Sequence, residues 1–280
     1  MASKSLIVNG VVKSLSLVAL TVLLLIVLFP LAMIIINSFK TEAEYYATGP
    51  LGLPQRLNWD TIVAVWRRME YTTKLLNSLV ISTSVAVLGI GLSLFNAFAL
   101  GIGKVKGRAL ILVPFVVAIT LPREALAYPL YYFFKLVGLY DTRLAVILTF
   151  AALQSAFGTY LLTSVFGAFT RELIEAAIVD GCNKVQLLFR VVVPLSMPSL
   201  SVLFVFFFIW TWNEFFLPLI FLVSNANQTV PIAMALARTE RGTVITSQSA
   251  AAFLGVLPCI LFFVLFQRTL TRGITVGSIK

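Results

Sequence analysis

The sequence predicts an all-α polytopic membrane protein with six transmembrane helices. Three observations carry that reading. Of its 280 residues, 60% are apolar and only 11% are charged, whereas soluble domains are nearer one-quarter charged. The apolar residues fall in uninterrupted runs long enough to cross a bilayer as helices. The polar stretches needed to cover the surface of a soluble core are missing.

Residues 1–14 form a short tail with Lys4 and Lys13, and the first apolar run covers 15–36. That run is too long for a signal-peptide core, and no small-residue cleavage pattern follows it, so it reads as a retained membrane helix. Residues 37–77 read as a polar outer loop in which Trp59 and Trp66 suit a membrane–water interface. A five-helix core follows over 78–267, with spans expected at 78–100, 109–134, 144–166, 199–222 and 250–266. The third span contains Pro114, Pro122 and Pro129 and the charged pair Arg123-Glu124. Polar stretches remain at 104–108, 170–198 and 224–248, with a tail at 268–280.

Six spans place both termini on one side. The positive-inside rule makes that side cytoplasmic, chiefly through Lys104, Lys106 and Arg108 in a five-residue link. Lys4, Lys13, Arg268, Arg272 and Lys280 agree. Both tails and the 170–198 segment are therefore placed in the cytoplasm. The net charge of +10 reads as this same bias, because no basic tail or basic–aromatic stripe points to nucleic acid. Cys182 and Cys259 fall in different environments, so no disulfide is expected, and without histidine no metal-ligand cluster forms. The glycosylation triplet Asn227-Gln228-Thr229 reads as chance.

Catalytic signatures are missing. Gly101-Ile102-Gly103 followed by Gly107 has the wrong spacing for a dinucleotide fingerprint, and there is no Gly-Lys-Ser/Thr phosphate loop. No histidine exists for a triad. An intramembrane enzyme would have only Glu124 and Glu214 to work with. An ATPase-independent secondary transporter or channel would need inverted repeats or an ion-coupling site, and neither is visible.

The 170–198 segment holds two short helical patterns. Thr170 is placed to cap a helix over 171–179, with Leu173, Ile174, Ala177 and Ile178 as its apolar stripe and Glu172 and Glu175 off it. Asp180-Gly181 stops it, because glycine tolerates the left-handed C-terminal cap. Asn183 caps a second helix through Arg190, with Val185, Leu188, Phe189 and Val192 inward, and Pro194 and Pro198 turn the chain back toward the membrane. Helices this short are marginal alone and must pack on the membrane helices or on a partner.

Glu175-Ala176-Ala177, Gly181, Val191, Val193 and Pro194, with Asp180 before the glycine, resemble the EAA loop of permease subunits of binding-protein-dependent ABC importers. Valine stands where that family usually has isoleucine and leucine. Pro129-Leu130-Tyr131, Gly138-Leu139-Tyr140-Asp141-Thr142, Trp212-Asn213-Glu214 and Gly273-Ile274-Thr275-Val276-Gly277 are similar to the carbohydrate-type branch, on the side of the shorter maltose-importer permease. The resemblance covers nearly the whole chain. It implies a cytoplasmic coupling helix that docks on a dimeric ATPase, a second permease subunit, an extracytoplasmic sugar-binding protein and a sugar substrate, all in a bacterial or archaeal plasma membrane. ATP and magnesium would bind on the partner ATPase, and no cofactor is implied in this chain. Glu175 would anchor the contact, Ala176 and Ala177 would allow close approach, and Gly181 would form the bend.

Arg123 and Glu214 are each expected about halfway through a span. A charge at the bilayer centre costs on the order of 2.5–3.5 kcal/mol even on the lenient insertion scale, so both should face the bundle or a wet path. They could pair with each other. Adjacent Arg123 and Glu124 point apart on a helix and cannot neutralise each other well. Glu124, Tyr128, Trp212, Asn213 and Glu214 could line a sugar path, through carboxylate and amide hydrogen bonds and an aromatic ring against the sugar face. The other reading of the same residues is glue between helices.

Overall fold

The computed structural model describes residues 2–103, 105–236 and 244–276, with side chains within 12–267 of these. Lys104, positions 237–243 of the 224–248 loop and Lys280 lie outside the described residues, as do the side chains of Lys4, Arg268 and Arg272. The chain divides into two compact units. Unit one is Met1–Met69 with Met234–Leu257, and unit two is Glu70–Ala233 with Pro258–Lys280. Among the described residues, five helices are long and apolar enough to cross a membrane, and one bent helix pair makes a sixth candidate span.

In unit one, α1 (Ala2–Ser38) exposes every side chain from Leu15 to Phe29, so its apolar faces are left for lipid or another chain to cover. The polar stretch after it is structured. It folds into α2 (Glu42–Thr48) and α3 (Asp60–Arg68). Lys40 is fully buried there and donates to the Gly49 carbonyl at 2.8 Å, while Phe39 packs edge-on against Trp59 and Phe253.

Unit two is built on α4 (Tyr71–Gly101) and α7 (Arg143–Gly167). Helix α4 starts seven residues before the expected 78, because Tyr71, Lys74 and Asn77 are buried and helical instead of looping. Gly89, Ser93, Ala97 and Gly101 recur every fourth residue and form one small-residue stripe. Lipid tails are as apolar as leucine side chains, so membrane helices associate through close packing and polar contacts across such stripes. Ser93 donates to the Ser155 carbonyl at 3.2 Å, and Asn96 reaches the Thr159 hydroxyl at 3.3 Å. A Cβ on Gly158 would sit 2.2 Å from Ser93 Oγ and 3.0 Å from the Phe207 ring. Gly158→Leu is therefore expected to push α4 and α7 apart, at roughly 1–3 kcal/mol for overpacking. Thermal unfolding of the purified protein measures it, and an unchanged midpoint would refute the contact.

At the other end of α7 a polar latch closes the loop at 222–229. Asp141 takes a left-handed backbone, φ 59°, which aspartate tolerates better than most residues. Its carboxylate accepts the amides of Val223 (2.9 Å) and Ser224 (3.0 Å) and the Ser224 hydroxyl. Asn227 donates its side-chain amide to the Asp141 carbonyl at 2.6 Å, which commits that amide within the fold. Buried Lys74 donates to the Asn225 carbonyl, and Asn77 donates to those of Ala226 and Gln228. Partial desolvation opposes the charged form of Asp141, but the bonds from Ser224, Asn227 and Val223 outweigh it and hold the carboxyl below its ordinary range. A depressed folded value makes the latch fully stabilising above the ordinary carboxylate pKa of about 3.9, and that contribution is lost as pH falls through the lower folded value. Asp141→Asn keeps the backbone conformation and removes the charge. It should speed hydrogen exchange at the Val223 and Ser224 amides about fivefold at neutral pH. Equal exchange in variant and parent would exclude the latch.

Candidate functional site

The segment from 170 to 212 is a short helix, a bend and one long helix. Thr170 sits at the N-cap of α8 (Arg171–Val179) in an extended conformation, without a side-chain cap bond. At the far end Gly181 has φ +83°. The Gly181 amide donates to the Ile178 carbonyl at 3.0 Å and the Cys182 amide to the Ala177 carbonyl at 3.0 Å. These paired bonds are a Schellman cap, and they require the left-handed glycine. Asn183 then caps the next helix, and Gln186 returns the bond. Gln186 N–H donates to Asn183 Oδ1 and Asn183 N–H to Gln186 Oε1, both at 2.9 Å.

Beyond Asn183 the structure corrects the expected layout. The helix does not end at Arg190, and Pro194 and Pro198 do not turn the chain. Instead α9 (Lys184–Gln186), a π-helical stretch (Leu187–Val192) and α10 (Val193–Trp212) run on as one span, Lys184–Trp212. The Val193 amide donates to the Leu188 carbonyl, five residues back, and Pro194 follows as the second residue of α10. A wider turn just before proline accommodates the missing donor without a break. The five-residue spacing also moves the buried face. Leu187, Leu188 and Val192 are buried, whereas Val185 and Phe189 are exposed.

Of the EAA residues, Ala177 is buried and Glu175, Ala176, Asp180 and Gly181 are exposed. Val191 lies in the π stretch, and Val193 and Pro194 open α10, so the second half of the motif belongs to the spanning helix. The tip around the bend is apolar and open: Val179 is 85% exposed, Val185 65% and Ile178 56%.

The second polar centre lies where two spans break. The third expected span is bent by 95° between α5 (Arg108–Thr120) and the stretch Arg123–Leu136, which contains α6 (Ala127–Leu136). Leu121 and Pro122 are extended at the break, as sterics before and at proline favour. The fifth expected span stops at Trp212 and resumes as α11 (Phe216–Phe221). Pro218 explains the gap, since it would clash with the Glu214 carbonyl in a continuous helix. Glu214 thus sits in a break, and Arg123 opens a 3-10 turn (Arg123–Leu126) directly after one. The structure brings them together, with Arg123 Nη1 2.8 Å from Glu214 Oε2. The Arg123 guanidinium also lies 5.9 Å from the Phe150 ring centroid.

Glu124 and Tyr128 are exposed one turn apart, and the Tyr128 ring packs at a tilt against Tyr132, 4.7 Å between centroids. Asn213 is exposed and caps α10 through its bond to the Ile209 carbonyl at 2.9 Å. Trp212 is the correction. Its side chain is 4% exposed, packed between Phe208 (5.8 Å) and Phe262 (5.9 Å), and offers no ring face to a ligand. Gln154 was not among the expected residues. It is buried in α7, donates to Thr211 Oγ1 at 2.8 Å, and lines a cavity of about 110 Å³ with Arg123, Leu121, Phe157 and Trp210. Its Oε1 has no hydrogen-bond partner among the described residues. The signal was available: a side-chain amide in the middle of an apolar span.

Broken spans around an ion pair, joined by one continuous helix to an exposed apolar bend, are the features of a multi-pass membrane protein. Residues 89–276 match the model of the binding-protein-dependent transport system inner membrane component. The chain is 31% identical to the inner membrane ABC transporter permease protein YcjP of Escherichia coli, covering 93% of this chain and 94% of that one. It is 31% identical to the sulfoquinovosyl glycerol transport system permease SmoH of Agrobacterium fabrum, over 96% and 94% of the two chains. It is 28% identical to the diacetylchitobiose uptake system permease DasC of Streptomyces coelicolor, over 94% and 95%. The chain belongs to the family of binding-protein-dependent transport system inner membrane components, the permease subunits of ABC transporters.

Proposed function

We propose that this chain is one of two membrane subunits of a sugar-importing ABC transporter and that its 171–181 hairpin is the ATPase-coupling element. The observation that carries the proposal is the exposed apolar tip of Ile178, Val179 and Val185 on a Schellman-capped bend, joined without interruption to the broken span at Glu214. Exposed apolar clusters of this kind mark contacts with other proteins. The relatives whose names state sugar glycosides or oligosaccharides support a sugar as cargo.

In this reading both termini and α8 lie in the cytoplasm. ATP and magnesium bind on a separate ATPase, and hydrolysis belongs to that chain. ATP closes the ATPase dimer, the docked α8 moves with it, and the helix Lys184–Trp212 carries the displacement to the membrane centre. A ligand or partner shifts such an equilibrium only by its differential affinity for the two states, which here resides in the ATPase groove. The sugar passes Glu124, Tyr128, Asn213 and Glu214, whose carboxylates and amide meet hydroxyls while the Tyr128 ring covers an apolar sugar face. Gln154 adds a buried acceptor beside Arg123. A second permease completes the path, and an extracytoplasmic binding protein delivers the sugar.

Affinity purification of the chain in mild detergent is expected to bring down a cytoplasmic ATPase and a second permease. The reconstituted assembly should take up labelled oligosaccharide only with ATP on the ATPase side. Uptake by the chain without any ATPase would replace the proposal with a secondary transporter or channel.

A further inference from the structure

Unit two contains a cavity of about 710 Å³ at the end of its spans, where α4 ends at Gly101 and α7 at Gly167. Phe98, Phe166 and Leu187 give it apolar walls. Its charged lining is unbalanced, with Arg108, Arg171 and Lys184 against Glu175 alone. The Arg108 guanidinium crosses from the start of α5 to the end of α7. A Cβ placed on Gly167 would meet its Nη1 at 3.6 Å. Among the described residues none of these three cations is in an ion pair, although Glu175 lines the same space.

We infer that this cavity holds the headgroup of an anionic phospholipid. Three observations select that occupant. The site lies at the ends of two spanning helices, which is headgroup depth for helices of this length. Its lining carries two more cations than anions, which favours a net negative headgroup over a zwitterionic one. Its walls are apolar, which suits the glycerol and upper acyl carbons that accompany a lipid phosphate and that a free anion lacks. Basic pockets between spanning helices are the usual seats of anionic headgroups. The lipid would bridge α8 to the ends of α4 and α7, since lining residues come from all three. The cavity shares Glu175 and Ile178 with the α8 element proposed to dock the ATPase, so the inference rests beside that reading, and lipid retention, read without ATP or sugar, fails or holds independently of it.

The test uses the full chain with its co-purifying subunits in nanodiscs of phosphatidylglycerol or phosphatidylcholine. Native mass spectrometry counts retained lipid, and thermal unfolding is read in parallel. Wild type is expected to retain phosphatidylglycerol in preference to phosphatidylcholine and to unfold at a higher temperature with it. The double variant Arg108→Gln/Lys184→Gln should lose that preference by about thirtyfold, the worth of two basic contacts at an anionic surface. The charge-keeping variant Arg108→Lys/Lys184→Arg should retain most of it. Should the glutamine pair fail to insert, Lys184→Gln alone, at an exposed side chain, is expected to lose about fivefold. Equal retention of the two lipids by wild type would overturn the inference, as would an unchanged preference in the glutamine variants. Stabilisation by inorganic phosphate alone to the same extent would mean a free-anion site and overturn the lipid. Loss of a co-purifying protein from the glutamine variants with lipid retention unchanged would make the cavity a protein-docking surface and overturn it too.

Discussion

Transport is expected to fall at least about tenfold in Gly181→Asp, with the chain still inserted at normal levels. The reason is the added charge together with the backbone conformation, and not a steric clash. A Cβ on Gly181 has nothing within 4 Å, yet the residue holds φ +83°. A left-handed backbone costs an L-residue on the order of 1–2 kcal/mol, about a fivefold to thirtyfold shift in an equilibrium, with aspartate and asparagine at the low end. If the bend relaxes instead, the bonds Gly181 N–H to Ile178 and Cys182 N–H to Ala177 are lost, and α8 no longer meets the long helix at its present angle. Aspartate also adds a second acidic side chain beside Asp180. A graded series separates the causes. Gly181→Asn tolerates the conformation and carries no charge, so it should keep much of the uptake, whereas Gly181→Val, β-branched at positive φ, should keep none. ATPase co-purification should fall in the same order. Asparagine and valine variants that behave alike would show that the bend is not what matters.

The second large effect is expected at Arg123 and Glu214. Glu214→Ala strands Arg123 in the break between α5 and α6, and Arg123→Ala strands Glu214, which is only 13% exposed. Breaking a fully buried pair costs about 3–5 kcal/mol, but Arg123 is 41% exposed, and solvent screening reduces the expectation to roughly 1–3 kcal/mol. The charge swap Arg123→Glu with Glu214→Arg should recover stability that each single swap loses, measured by thermal unfolding of the purified protein. A double swap no more stable than either single one would exclude a partnership. Uptake gives a separate reading. If the swap restores stability and not transport, the pair also meets the cargo. If Glu214→Ala transports normally, Glu214 leaves the path.

The spans were legible because uninterrupted apolar runs report membrane helices directly. The hairpin was legible because polar residues punctuate it. Its stripe, the Asp180–Gly181 stop and the Asn183 cap are all local signals, and α8 ends where they place it. What escaped were the breaks at 121–122 and 213–215 and the continuity through Pro194 and Pro198. Proline removes one donor wherever it stands. Whether the helix breaks, as before Pro122 and Pro218, or widens, as before Pro194, depends on what neighbouring helices supply, and the linear pattern does not contain that. Side-chain direction escaped for a related reason. In a span apolar on every face, periodicity is silent, so nothing local separated buried Trp212 from exposed Asn213. Gln154 was readable as an amide among apolar residues, but its cavity with Arg123 exists only once α5 and α7 meet.

The π-helical stretch sets a phase. Each residue of an α-helix turns the chain by about 100°, from 3.6 residues per turn. The turn at Leu187–Val192 takes up part of one such step, between the end that carries the bend and the end that carries Asn213 and Glu214. The winding of these six residues therefore sets the relative phase of the two ends. Drawing this stretch back to ordinary α-helix would rotate Ile178, Val179 and Gly181 about the long axis while the membrane end stayed in place.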